Sequence, residues 1–175
     1  MNIIVAVIII IAGIAIAFFL ITSFTGAPYV PTLKPGLRQV FKRLYHLSPD
    51  DLLIDLGAGD GVVLREATKY GAKALGIELN PILVLIMKFR FRKQSDIQIK
   101  CSNFYNMSFP PETTVVYTFA VSPHINPIYQ KIQSEANHLH KTIYFISNAF
   151  ELPQLKPEGK VSSFYLYKIK PEHSK

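Results

Sequence analysis

The chain has 175 residues, 19 of them basic and 12 acidic, for a formal net charge of +7. That length builds one packed domain and not two. A single cysteine, Cys101, excludes an internal disulfide and any cysteine-based zinc site, and suits a reducing compartment.

The run from Ile3 to Ile21, "IIVAVIIIIAGIAIAFFLI", carries no charge and no strongly polar group. As a helix it is roughly 28 Å long, close to the ~30 Å hydrocarbon core of a bilayer. It therefore predicts a transmembrane anchor over residues 1–24. A cleaved signal peptide fits less well, because no Lys or Arg precedes the run and Pro28 follows the only small-residue site, Gly26-Ala27. Lys34, Arg38, Lys42 and Arg43 follow the span. The positive-inside rule then puts residues 25–175 on the cytoplasmic (or equivalent) side of a single-pass protein, with the lipid bilayer as a partner.

Residues 25–36, "TGAPYVPTLKPG", read as a Pro/Gly-rich connector. Residues 37–47 place Leu37, Val40, Phe41 and Leu44 at helical spacing, which predicts an amphipathic helix. Strand and helix patterns alternate from there: "LLIDL", helix "GVVLREATKYG", "KALGIEL", helix "NPILVLIMKFRFRK", "IQIKCS", then "TVVYTFAV", helix "NPIYQKIQSEANHLH", "KTIYFIS" and a last strand in "KVSSFYLYKIK". Near-continuous apolar strands between helices predict an α/β domain with a doubly wound, mostly parallel sheet, the final strand lying antiparallel at its edge. The basic and aromatic run Lys88–Lys93 ends a predicted helix, where cations suit the negative end of the dipole and Phe89 and Phe91 pack inward. No nucleic-acid partner is read from it. His138 and His140 sit two apart on a helix, point to different faces and make no metal pair, so no metal is expected.

The stretch Asp51–Val63, "DLLIDLGAGDGVV", carries the most chemistry. In open α/β sheets ligands bind beyond the carboxyl ends of the strands. Here the first such end bears Asp55, and the turn after it has Gly57, Gly59 and Gly61 at alternate positions. The glycines let a ligand approach the main chain closely, and a helix beginning near Asp60 offers free N–H groups. Dinucleotide turns follow G-x-G-x-x-G; here the third glycine comes one residue early. An acid just before the turn also repels a pyrophosphate. It suits a ligand whose end carries an ammonium and a sulfonium, as S-adenosylmethionine does. Glu78, closing the second strand, is placed to accept hydrogen bonds from both ribose hydroxyls.

"DLGAGDG" followed by "GIELNP" resembles the first motif and acidic loop of the seven-strand S-adenosylmethionine-dependent methyltransferases, a Rossmann-like fold. "GAPYVPT", "VVLREATKYGAKALGIELNP", "SNFYN", "VVYTFAVSP" and "ISNAFELP" resemble, in the same order, the membrane-anchored lysine methyltransferases of the ATP synthase c-subunit and the adenine nucleotide translocase. That resemblance implies seven strands and a protein-lysine N-methyltransferase acting on a membrane protein. It places the methionine part of the cofactor on Asp55, Gly57, Gly59 and Gly61, the ribose on Glu78 and the adenine beside Leu79 and Asn80, with Ala58 and Phe104 also among the cofactor-binding residues. Asn103 stands where the family usually has an aspartate facing the adenine amino group, and its amide oxygen accepts the same hydrogen bond. Tyr29 and Thr32 in the connector are expected to close over the cofactor.

Transfer from a sulfonium is a direct displacement that needs alignment and exclusion of water, not a metal or covalent intermediate. A lysine amine loses its proton more easily when buried beside a positive charge. Substrate-lining residues are therefore expected rather than a dedicated base: Ala120, Val121, Ser122, Pro123, His124 and Asn148. Methylation of a lipid, quinone or other small apolar acceptor, and an inactive scaffold that retains the fold, are the alternative readings.

Overall fold

The computed structural model describes residues 2–24, 34–119 and 125–172. Helix α1 (Ile3–Phe24) comes first, then α2 (Lys34–Gln39), which runs into a π-helical turn over Val40–Leu44. The helix expected at 37–47 thus starts earlier and ends sooner. Its Leu37, Val40 and Phe41 are buried against the domain. Beyond it lie β1 (Leu52–Leu56), α3 (Val62–Thr68), β2 (Lys73–Glu78), α4 (Pro81–Arg90), β3 (Ile97–Cys101), β4 (Thr113–Phe119), α5 (Ile125–His138), β5 (Ile143–Asn148), β6 (Gly159–Val161) and β7 (Phe164–Ile169).

The transmembrane expectation is overturned: among the described residues no helix is long and apolar enough to cross a membrane. The side chains of α1 are described only from Ile3 to Ile14, exposed apolar groups for the most part. The expected single-pass location depends on that span.

The seven strands form one sheet in the order β3-β2-β1-β4-β5-β7-β6. β1 pairs in parallel with β2 and β4, β2 with β3, and β4 with β5. β7 runs antiparallel between β5 and β6. The sheet is therefore mixed, a second correction to the mostly parallel sheet expected. The reason lies in the connections. A parallel step needs a crossover, usually a helix, and no helix lies between Asn148 and Gly159. The last segment folds instead as a hairpin turning at Ser162 and Ser163, so the single edge strand expected there is two strands, with β7 inside and β6 at the edge.

Apolar side chains of β1, β2 and β4 feed both faces of the sheet, as strands covered on two sides must. Leu53, Ala74, Val115 and Tyr117 pack with Val40, Phe41, Val63, Leu64, Val84, Met87 and Phe91 beneath α2, α3 and α4. Ile54, Leu75, Ile77 and Val116 pack on the opposite face with Ile125, Ile128, Ile132, Phe109 and Leu152. The segment after β3 is pinned to α5 by a buried ion pair. Glu135 accepts the Phe109 N–H at 2.9 Å and Lys131 Nζ at 2.6 Å, while Lys131 also donates to the Met107 carbonyl at 2.6 Å. Phe91 turns inward as expected, but Phe89 is 69% exposed, one helical face away.

Candidate functional site

All five parallel strands end at the same edge of the sheet. β1 lies where the chain order reverses, with β2 on one side and β4 on the other. Such a switch point opens a crevice beyond the strand ends. Asp55 reaches it from β1, Glu78 from β2, Asn103 from the loop after β3 and Asn148 from β5.

The turn after β1 takes left-handed backbone at alternate residues: φ is +80° at Gly57, +56° at Gly59 and +78° at Gly61. It is tied to β2, since the Gly57 and Ala58 N–H groups both donate to the Ile77 carbonyl, at 2.9 and 3.1 Å. Two of the glycines have different work. A Cβ on Gly61 would sit 2.5 Å from Phe91 Cε2 and 3.1 Å from Met87 Sδ, so this glycine lets α4 pack against the start of α3. A Cβ on Gly57 would meet nothing within 4 Å. Its missing side chain leaves open space beside the turn, as a ligand approaching the main chain requires. α3 begins at Val62 with Gly61 as its cap, two residues later than expected.

Asp55 is only 2% exposed. Its carboxyl is held well above the ordinary aspartate range, first by burial and then by the nearby charges of Glu78 and Asp60. Three carboxyl groups thus converge on one turn. A buried acid among other acids is stabilised in its charged form by a cation.

Glu78 does more than the expected ribose contact. Its Oε2 accepts the Gly59 N–H and its Oε1 accepts the Asn80 N–H, both at 2.8 Å. It therefore shapes the glycine turn and the start of α4 together, and each oxygen keeps a lone pair for a ligand hydroxyl. Asn80 is 1% exposed and caps α4 by accepting the Ile82 N–H at 2.9 Å. Its Nδ2 is buried without a partner among the described residues. A buried orphan donor is unfavourable by about 1–3 kcal/mol, and it fits a ligand that brings an acceptor to this end of the sheet.

Leu79 is exposed, and Ala58 is buried. Asn103 is exposed, and its Oδ1 accepts the Tyr105 N–H at 3.0 Å, capping the short 3-10 turn Phe104–Asn106. One lone pair of the oxygen expected to meet the adenine amino group is thus already in use. Phe104 is half-buried, packed on the core face that holds Ile77. Asn148, the one described substrate candidate, is 5% exposed; its Nδ2 donates to Tyr117 Oη at 3.1 Å and its Oδ1 accepts Ser163 Oγ at 2.8 Å. Tyr29, Thr32, Ala120, Val121, Ser122, Pro123 and His124 lie outside the described residues.

Two residues of the site escape a reading of the sequence. Tyr117 is the register partner of Asp55 across β1 and β4 and joins that acid to the Asn148 end of the sheet. In the chain it is one aromatic among apolar neighbours, and only register marks it. Asp60 adds the third carboxyl and is held by Arg90, whose Nη1 donates to Asp60 Oδ2 at 2.8 Å and to its carbonyl at 2.6 Å. The signal available for Asp60 was an acid within a glycine-rich turn.

Residues 55–159 match the family described as the ANTKMT methyltransferase domain. The chain is 31% identical over 134 residues to the ATP synthase c-subunit lysine N-methyltransferase of Xenopus laevis, covering 75% of this chain and 57% of that protein. The Rattus norvegicus protein of the same name is 28% identical, with 75% of this chain and 59% of that protein covered. The ribosomal RNA small subunit methyltransferase A of Thermotoga neapolitana is 29% identical over 110 residues, covering 57% of this chain and 42% of that protein. The chain thus spans about half the length of the curated relatives it matches. Among solved structures, an RNA methyltransferase from Salinibacter ruber, crystallised with S-adenosyl-L-homocysteine, shares the fold. Its TM-score is 0.70 at 23% identity, with 83% of this chain and 97% of that chain covered.

Proposed function

We propose, from the premise that this chain belongs to the ANTKMT methyltransferase domain family, that it is an S-adenosylmethionine-dependent protein-lysine N-methyltransferase. The observation that carries the cofactor is the buried carboxyl of Asp55 beside the open space at Gly57. A cationic end-group needs that charge, and a close approach to the main chain needs that space. Glu78 and Asn80 would take the sugar and adenine end, where the unpartnered Asn80 Nδ2 supplies a donor.

When bound, S-adenosylmethionine would supply an electrophilic methyl group for displacement at carbon by a deprotonated amine, the C–S bond breaking and the sulfur leaving as a neutral thioether. The chain's own residues orient and desolvate. Asp55, whose charge is felt by nearby Glu78 and Asp60, would hold the cationic end in place. Tyr117 and Asn148 form a rigid wall at the carboxyl ends of β4 and β5, because each is buried and the two are hydrogen-bonded. Alignment and the exclusion of water are what this reaction asks of a protein. An acceptor amine beside this wall loses its proton more readily than in water, since burial and a nearby positive charge both disfavour its ammonium form.

Lysine as the acceptor is supported by the names of the relatives that cover three quarters of this chain, and a lysine of an ATP synthase c-subunit is the first target to try. The test is incubation of the full chain with methyl-labelled S-adenosylmethionine and a native membrane fraction, followed by separation of protein, lipid and RNA. Label recovered as methyl-lysine after protein hydrolysis is the expected result. Label confined to extracted lipid or to RNA overturns the lysine assignment, and no label in any fraction overturns the enzymatic one.

A further inference from the structure

Helix α4 is apolar on two faces. Leu83, Val84 and Met87 are buried against the sheet, as one face of a surface helix should be. The other face repeats the pattern outward. Ile82, Leu85, Ile86 and Phe89 fall at i, i+3, i+4 and i+7, and Leu85 and Phe89 are each 69% exposed and Ile86 41%. A helix with this second stripe needs something to cover it.

The charges around the stripe say what. Lys88, Arg92 and Lys93 follow at its C-terminal end, all exposed, and none makes an ion pair with a described residue. Arg90 is already held by Asp60. The Arg92 guanidinium lies 4.4 Å above the Phe89 ring, so that cation and aromatic present one surface. Large apolar side chains edged by cations that have no ion-pair partner are the signature of a surface that lies in a lipid interface, apolar groups at the acyl boundary and cations among anionic head groups. An RNA backbone would engage the cations and leave the apolar stripe in water.

We propose that the outer face of α4 docks on an anionic lipid surface. This stands apart from the catalytic reading, because none of these side chains belongs to the cofactor site. Nothing crosses the bilayer through α4, which lies along the interface.

The chain contains no tryptophan, so Phe89→Trp places a single reporter in the stripe. The full-length variant is mixed with vesicles of phosphatidylcholine alone, or with about one third phosphatidylglycerol, each also prepared with brominated acyl chains. The expected result is a blue-shifted indole emission that brominated lipid quenches on the anionic vesicles only. Adding Lys88→Gln and Lys93→Gln should weaken that response about five-fold per lysine removed. Because the readout is local to α4, adsorption of the chain through α1 does not mimic it. The proposal is overturned if the emission stays that of a water-exposed indole on anionic vesicles, if zwitterionic vesicles quench it equally, or if soluble RNA or an acidic peptide shifts the emission where vesicles do not. S-adenosylmethionine titrated into the same variant should bind as to the parent, so failure of docking and failure of the catalytic reading are told apart.

Discussion

Replacing Asp55 by asparagine tests the electrostatic basis of the site. The side chain keeps its shape and loses its charge, so a fold-level effect is separated from a ligand-level one. Burial and the charges of Glu78 and Asp60 raise the carboxyl well above its ordinary value of 3.8. In the free protein the folded state therefore holds this proton more tightly than the unfolded chain does. Stability falls as pH rises from the ordinary aspartate value to the raised one, and stays at the lower level above it. Asp55→Asn removes that dependence, so its melting temperature at pH 8 should equal or exceed the parent's.

Binding should move the opposite way. A cationic ligand favours the carboxylate, so binding releases up to about one proton where the free acid is protonated, and affinity climbs with pH until the raised value is passed. Losing one hydrogen bond to a charged group weakens binding by about 1.5–3 kcal/mol, or roughly 10- to 150-fold in Kd. The assay is isothermal titration of S-adenosylmethionine into parent and variant across pH 6–9, in buffers of differing ionisation enthalpy. An Asp55→Asn protein that binds like the parent, or a parent whose affinity falls as pH rises, would refute the reasoning.

Two further outcomes follow from packing. Gly57→Ala should fold, with a loss of about 1–2 kcal/mol for left-handed backbone, yet bind no cofactor in a calorimeter because the new methyl enters the open space. Gly61→Ala should lose much more stability in a thermal melt, since its Cβ meets Phe91 at 2.5 Å. Equal effects of the two substitutions would contradict the division of labour assigned to them. Glu135→Leu leaves Lys131 and the Phe109 N–H without their buried acceptor, and should lower unfolding stability by about 3 kcal/mol in urea. A change below about 0.5 kcal/mol would mean that the segment after β3 is held by its apolar contacts alone.

Much of this site was legible in the order of residues, for local reasons. Left-handed backbone at alternate positions is open to glycine at little strain, so "GAGDG" announced its own conformation. β1 was legible to the residue, as a short apolar run bounded by a turn on each side. Asp55 and Glu78 stood out because acids rarely close buried strands. Other features depend on partners far away in the chain. Glu78 was expected to wait for a ribose, but it already binds the main chain at Gly59, nineteen residues back. That Phe89 points outward while Phe91 points inward depends on where α4 ends.

Alone, then, the sequence determined the turn and its two acids, because dihedral strain and the placement of a charge at a strand end are properties of neighbours in the chain. The tertiary structure decided how these parts meet. The β1–β4 register sets Tyr117 beside Asp55, the missing crossover makes the last strands a hairpin within a mixed sheet, and the packing of α4 leaves a second apolar stripe outside. Those outcomes rest on contacts that exist only once distant segments are in place, and no local pattern encodes which of them will meet.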